Sequence, residues 1–237
     1  MTNLTAAETA EVPTPHGPAR VHVRRAPGAA RGALLMGHGA GGGVDAPDLR
    51  AAARAGLDAG LHVVLVEQPY RVAGRRAPAP ATQLDAAWEA VVGVLTGADE
   101  SGGRAGAAGS DGSADGAAAG SGAADVAGLL EDLPLLFGGR SSGARVACRC
   151  AAAGGVVGIV CLAFPVHPPG RPEKHRMAEI DGVTVPVLVV QGESDPFGRP
   201  GPTATREVVL LPGDHSLRKD VPAVEKAVAD WLARLLP

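Results

Sequence analysis

Five runs of this chain are continuously apolar: ALLMG (33–37), HVVLVE (62–67), LPLLFG (133–138), VVGIVCLAF (156–164) and VPVLVVQG (185–192). A strand with one wet face alternates apolar and polar residues. An unbroken apolar run suits a strand covered on both faces, which is the condition of a parallel sheet. REVVLLPG (206–213) follows the same style, whereas ARVHVR (19–24) alternates as a half-exposed edge strand does. Helical segments separate these runs at 47–60, 82–96, 142–153 and 174–181, and a last one covers 221–236. In that helix Asp220 is placed to cap the N-terminus, Pro222 sits in the first turn, and Val224, Val228, Trp231, Leu232 and Leu235 form one stripe. Strand alternating with helix predicts a mostly parallel, doubly wound α/β sheet with helices on both faces. The 237 residues suit a single domain, 1–237. Hydrophobic residues make up 46% of the chain and aromatics 3%, so its core is built from Ala, Val and Leu.

Residues 98–125 contain no Leu, Ile, Val, Met or aromatic residue. Such a stretch cannot bury enough apolar surface to offset its ordering entropy, and a disordered Gly/Ala/Ser-rich insertion is expected there. The net charge of −3, with seven His counted neutral, gives no global basic field for nucleic acid. The opening MTNLTAAETAEVPTP lacks a charged and then apolar leader, and no run is long enough to cross a bilayer. A cytoplasmic location is expected, with no membrane or nucleic-acid partner; the oligomeric state is not legible. Cys148 and Cys150 fall two apart in a helix and point to different faces, while Cys161 lies in a buried strand. They read as packing thiols and not as a metal site.

One G-x-S-x-G occurs, Gly139-Arg140-Ser141-Ser142-Gly143, between a strand-like run and a helix-like run. This is the setting of a nucleophile on a sharp strand-to-helix turn, whose neighbours must be small. A serine nucleophile needs a base, and the base needs an orienting carboxylate. Asp195 follows VPVLVVQG and His215 follows REVVLLPG, at spacings of 54 and 20 residues. Glu193, Asp214 and His167 are the rivals beside strand ends. Earlier, Gly37, Gly39 and Gly42 spell G-x-G-x-x-G, and Glu67 ends the next run as a ribose-binding acid does in dinucleotide folds. However, Glu67 falls 25 residues after Gly42, and a helix opens only at Pro47 and not at the third glycine. The alternative is an oxyanion loop, with Ala40 and Gly41 offering backbone N–H groups together with that of Ser142.

The stretches LLMGHGAGGG, VEQPYRVAGRR, GGRSSGARVACR, FPVHPPGRPEKHR, VLVVQGESDPFG and LPGDHSL span residues 33 to 217. They resemble the α/β-hydrolase superfamily, in particular the dienelactone-hydrolase-like and KANSL/TEX-type domains. The resemblance implies Ser141 as nucleophile, Asp195 as acid and His215 as base. No cofactor and no metal are expected for such a reaction. Ser141 stands where dienelactone hydrolases proper carry Cys. Only residues 164–184 separate the strand at 156–164 from the next, so no large cap domain is expected. His38, Tyr70, His167 and Arg171 are the candidate substrate-binding residues. Arg71, Arg75 and Arg76, with Lys174, His175 and Arg176, add a positive rim that suits an anionic substrate. The expected function is cleavage of a small ester, thioester or lactone through an acyl-enzyme. The alternative is a catalytically silent scaffold that binds a partner protein.

Overall fold

A computed structural model describes residues 7–98, 121–151 and 155–236. Nine strands form one sheet: β1 (Glu8–Val12), β2 (Ala19–Arg24), β3 (Ala33–Gly37), β4 (His62–Glu67), β5 (Ser121–Gly122), β6 (Leu135–Arg140), β7 (Val156–Leu162), β8 (Val187–Gly192) and β9 (Arg206–Leu211). Their order across the sheet is β5-β1-β2-β4-β3-β6-β7-β8-β9. The pairs β1/β2 and β2/β4 are antiparallel, and every other pair is parallel. The described helices are α1 (Pro47–Asp58), α2 (Pro69–Val72), α3 (Ala81–Thr96), α4 (Ser142–Cys150), α5 (Met177–Asp181) and α6 (Val221–Leu235).

The expectation for ARVHVR needs correcting. It is not an edge strand, because β1 pairs with it on one side and β4 on the other. Its alternation arises because one face is buried and the other half-exposed. The sheet's far end is instead β9, where Leu210 is 48% exposed, so REVVLL is not covered on both faces.

Apolar side chains fill two layers, one on each face of the sheet. On one face α3 and α4 pack through Trp88, Val91, Ala144 and Ala147 against Phe137 and Cys161. On the other, Leu49 and Leu57 of α1 and Val224, Val228, Trp231 and Leu232 of α6 cover Leu34, Met36 and Val160. Asp220 Oδ1 accepts from the Ala223 N–H at 3.0 Å, which caps α6. All three cysteines are buried and free, and Cys148 Sγ of α4 lies 3.6 Å from Cys161 Sγ of β7.

Residues 99–120 of the expected insertion lie outside the described residues. Its last five residues are placed: Ser121 and Gly122 pair beside Ala10 and Glu11 of β1, and Ala123–Asp125 form a turn of 3₁₀ helix. Among the described residues no helix is long and apolar enough to cross a membrane. Because β3, β6, β7, β8 and β9 run in parallel, the loops that leave their C-terminal ends all open at one rim of the sheet.

Candidate active site

At that rim β6 passes into α4 through Ser141. β6 ends at Arg140 and α4 begins at Ser142, so Ser141 alone turns the chain, with φ 52° and ψ −105°. A residue bearing a Cβ pays about 1–3 kcal/mol for such a backbone, and the surroundings must enforce it. The Ser141 N–H donates to the Leu162 carbonyl at 2.9 Å, and the Ser141 carbonyl accepts from Arg145 at 3.3 Å. The small residues on either side are needed for contact with β3. A Cβ on Gly139 would meet the Gly37 carbonyl oxygen at 2.6 Å, and one on Gly143 would strike the same atom. This packing lets the elbow lie directly against β3.

His215 and Asp195 come to that hydroxyl from the next loops along the rim. His215 Nε2 lies 2.9 Å from Ser141 Oγ, and His215 Nδ1 lies 2.7 Å from Asp195 Oδ2. A carboxylate only accepts, so Nδ1 carries the proton and Nε2 turns its lone pair to the serine. The Asp195 side chain is fully buried. Its Oδ1 accepts from the Phe197 N–H at 2.8 Å, and Oδ2 also accepts from Gln191 Nε2 at 2.7 Å. Phe197 packs edge-on against the His215 ring, with centroids 4.4 Å apart. The rival carboxylates are placed elsewhere. Glu193 is exposed, and the exposed Asp214 turns its Oδ1 back to the Ser216 N–H and hydroxyl.

The glycine loop after β3 forms a turn closed by the Gly42 N–H on the Gly39 carbonyl, 3.2 Å away. Ala40 and Gly41 occupy its two corners, whose N–H groups such a turn does not itself use. The Ser142 N–H heads α4, where N–H groups lack intrahelical acceptors and the helix dipole is positive. Tyr70 Oη donates to the Ala40 carbonyl at 2.9 Å and fixes that loop from behind.

Two expected substrate-binding residues therefore have other work. His38 is only 2% exposed: Nδ1 donates to the Gly39 carbonyl at 2.8 Å, and Nε2 accepts from the Gln68 N–H at 3.1 Å. Both ring nitrogens are spent on backbone, and Tyr70 is equally buried. Residue identity could not distinguish a ring facing the cleft from one facing the chain. His167 is half-buried and its N–H donates to Phe197, beside the acid loop, while Arg171 is exposed on a turn.

Burial pushes the His38 imidazole below its ordinary 6.5, and Arg71 adds to this against the opposing Gly39 carbonyl and Glu67. The unfolded chain then binds more protons than the folded one as pH falls through 6.5, so stability is lost in that window. The wild type's stability advantage over His38→Gln is expected to shrink between pH 7.5 and 5, by at most about 1.4 kcal/mol per pH unit, and the Tm difference between the two shrinks with it. A constant Tm difference across that range would show that His38 charges as readily in the folded protein.

The elbow and the Ser141–His215–Asp195 chain of hydrogen bonds fall in one segment of the chain. A family model described as an α/β hydrolase domain matches residues 120–223, which hold all three residues. The fold is that of the α/β-hydrolase superfamily. No curated protein matches the chain. Among solved structures it is similar to XC6422 from Xanthomonas campestris, described as an α/β serine hydrolase without lid, with TM-score 0.68 and 20% identity over 100% of this chain and 98% of that one. It is similar to a dienelactone hydrolase from Anabaena variabilis, with TM-score 0.66 and 17% identity over 99% and 100% of the two chains. Against the esterase Pf2001 from Pyrococcus furiosus the TM-score is 0.68 and the identity 12%, over 99% and 92%.

Two further residues of this site carry no motif in the sequence. Gln191 is wholly buried near the end of β8, and its Nε2 lies 2.7–3.1 Å from Asp195 Oδ2, the Phe164 carbonyl and the Gly198 carbonyl. All three neighbours accept, so the amide nitrogen must face them. Its signal was a lone amide ending an otherwise apolar run. The second is Arg140, whose guanidinium lies between the glycine loop and the histidine loop. Among the described residues no cluster of three His, Cys, Asp or Glu is placed to hold a metal.

Proposed function

We propose that this chain is a serine hydrolase that cleaves a small carboxylic ester, thioester or lactone through an acyl-enzyme. The observation that carries the reading is the unbroken hydrogen-bond chain from Asp195 through His215 to Ser141, set on a strained elbow. His215 Nε2 takes the hydroxyl proton as Ser141 Oγ bonds to the carbonyl carbon. The carbonyl oxygen becomes an oxyanion facing the Ser142 N–H and those of Ala40 and Gly41. Collapse breaks the bond to the leaving group, which receives the proton from His215. Water then attacks the acyl carbon as His215 Nε2 takes one of its protons, and the bond to Ser141 Oγ breaks as that proton passes to Oγ, which releases the acid and restores the serine. Asp195 keeps the proton on Nδ1 throughout and stabilises the imidazolium.

Among the described residues the only helix between β7 and β8 is the five-residue α5, so that connection holds no large cap. Arg75, Arg76, Arg171 and Lys174 are exposed on loops at this rim, which favours an anionic substrate by steering. Anionic esters are then expected to show a kcat/KM advantage over neutral ones of matched acyl group, lost at high salt. Equal values at low salt would refute steering.

A fluorophosphonate probe tests the hydrolase reading directly. Labelling should occur on Ser141 and vanish on replacement of His215. Folded protein that takes no label would instead be a silent scaffold.

A further inference from the structure

Arg140 has no part in the scheme above, yet its guanidinium touches three separate chain segments. Its Nε lies 2.9 Å from Asp48 Oδ2, in the first turn of α1. Its Nη2 donates to the His215 carbonyl at 3.1 Å. Its Nη1 lies over Gly39, where an added Cβ would approach to 2.7 Å. The Arg140 side chain is 19% exposed and that of Asp48 1%. An ion pair this buried loses much of its Coulomb gain to desolvation, and apolar residues of similar volume often serve stability as well or better. Stability alone is therefore a poor account of it. What the pair does contribute is direction: a rigid, forked donor fixed at one end by a buried carboxylate.

We propose that Arg140 is a positioning residue that clamps the glycine loop to the histidine loop, through Gly39 and Asp48 on one side and the His215 carbonyl on the other. Ser141 lies between these loops. The clamp sets the oxyanion donors and the imidazole at a fixed separation across the reacting carbonyl. It rests on the serine-hydrolase reading. A misplacement of about 1 Å in such a site is worth roughly 10²-fold in rate.

The test is the double variant Arg140→Met/Asp48→Leu, which removes both charges and leaves no unpaired buried ion. Hydrolysis of p-nitrophenyl acetate is measured per active site, with sites counted by fluorophosphonate labelling. The clamp predicts a kcat per site lowered by about 30- to 100-fold, with KM within about threefold of wild type. Arg140→Ala should in addition recover at least about fivefold in added guanidinium, relative to equal sodium chloride, because the free cation can reoccupy the site. A purely structural role would change Tm and the number of competent sites but not kcat per site. Per-site kcat within threefold of wild type overturns the clamp, as does a KM rise with kcat unchanged, which would make Arg140 a substrate anchor. Should the double variant not fold, an unchanged per-site kcat in Arg140→Lys overturns it equally. Wild-type protein that takes no label at Ser141 fails the hydrolase reading itself, a result distinct from all of these.

Discussion

Ser141→Ala is expected to lower kcat by roughly 10⁴- to 10⁶-fold, because members of a triad act as a unit. The substitution removes one oxygen and little else. Ala keeps a Cβ, so the φ of 52° at position 141 is as costly for the variant as for the wild type. The Leu162 and Arg145 hydrogen bonds use main-chain atoms and survive. His215 Nε2 loses its partner at 2.9 Å, but Nδ1 stays on Asp195. The variant should therefore fold with a near-wild-type Tm and fail in single-turnover ester hydrolysis. Ser142→Ala is the informative control, since only the main-chain N–H of that residue is used. Full activity in Ser141→Ala with loss in Ser142→Ala would move the nucleophile by one residue.

Asp195→Asn should cost roughly 10⁴-fold in kcat with the fold intact, through the wrong imidazole tautomer. The carboxylate accepts three hydrogen bonds: His215 Nδ1 and Gln191 Nε2 on Oδ2, and the Phe197 N–H on Oδ1. An Asn has one accepting oxygen. Set toward His215 and Gln191, that oxygen leaves an amide NH₂ facing the Phe197 N–H, donor against donor. Set toward Phe197, it leaves the NH₂ facing both Gln191 Nε2, again donor against donor, and Nδ1, which can relieve its own clash only by giving up its proton to accept. Nε2 then holds the proton and cannot take one from Ser141. Nitrogen NMR of His215 should report a shift toward the Nε2–H tautomer, and a kcat within tenfold of wild type would contradict this account.

Much of this site could be read from the chain because each triad residue comes within four residues of the end of a strand: Ser141 after 135–140, Asp195 after 187–192, His215 after 206–211. A long apolar strand fixes where its C-terminal loop emerges, and parallel strands bring such loops to one rim. The missed parts lacked that local signal. β1, ETAEV, buries only Ala10 and Val12 and carries two Glu, so its place in the sheet depends on β2 and not on its own pattern. Arg140 and Asp48 are 92 residues apart, and no spacing rule joins them. His38 and Tyr70 sit in the right loops, but their rings turn to backbone carbonyls and an N–H, a choice made by packing.

The backbone at Ser141 has one more consequence. Glycine adopts positive φ about as readily as negative, so Gly at 141 would relieve the conformational cost of the turn, on the order of 1 kcal/mol or more. The residue that best suits the local fold therefore has no hydroxyl, and the residue that bears the hydroxyl strains the fold. Selection for thermostability and selection for turnover pull position 141 in opposite directions. A serine persisting there in descendants of this chain would be a mark of activity under selection, and drift to glycine the first trace of its loss.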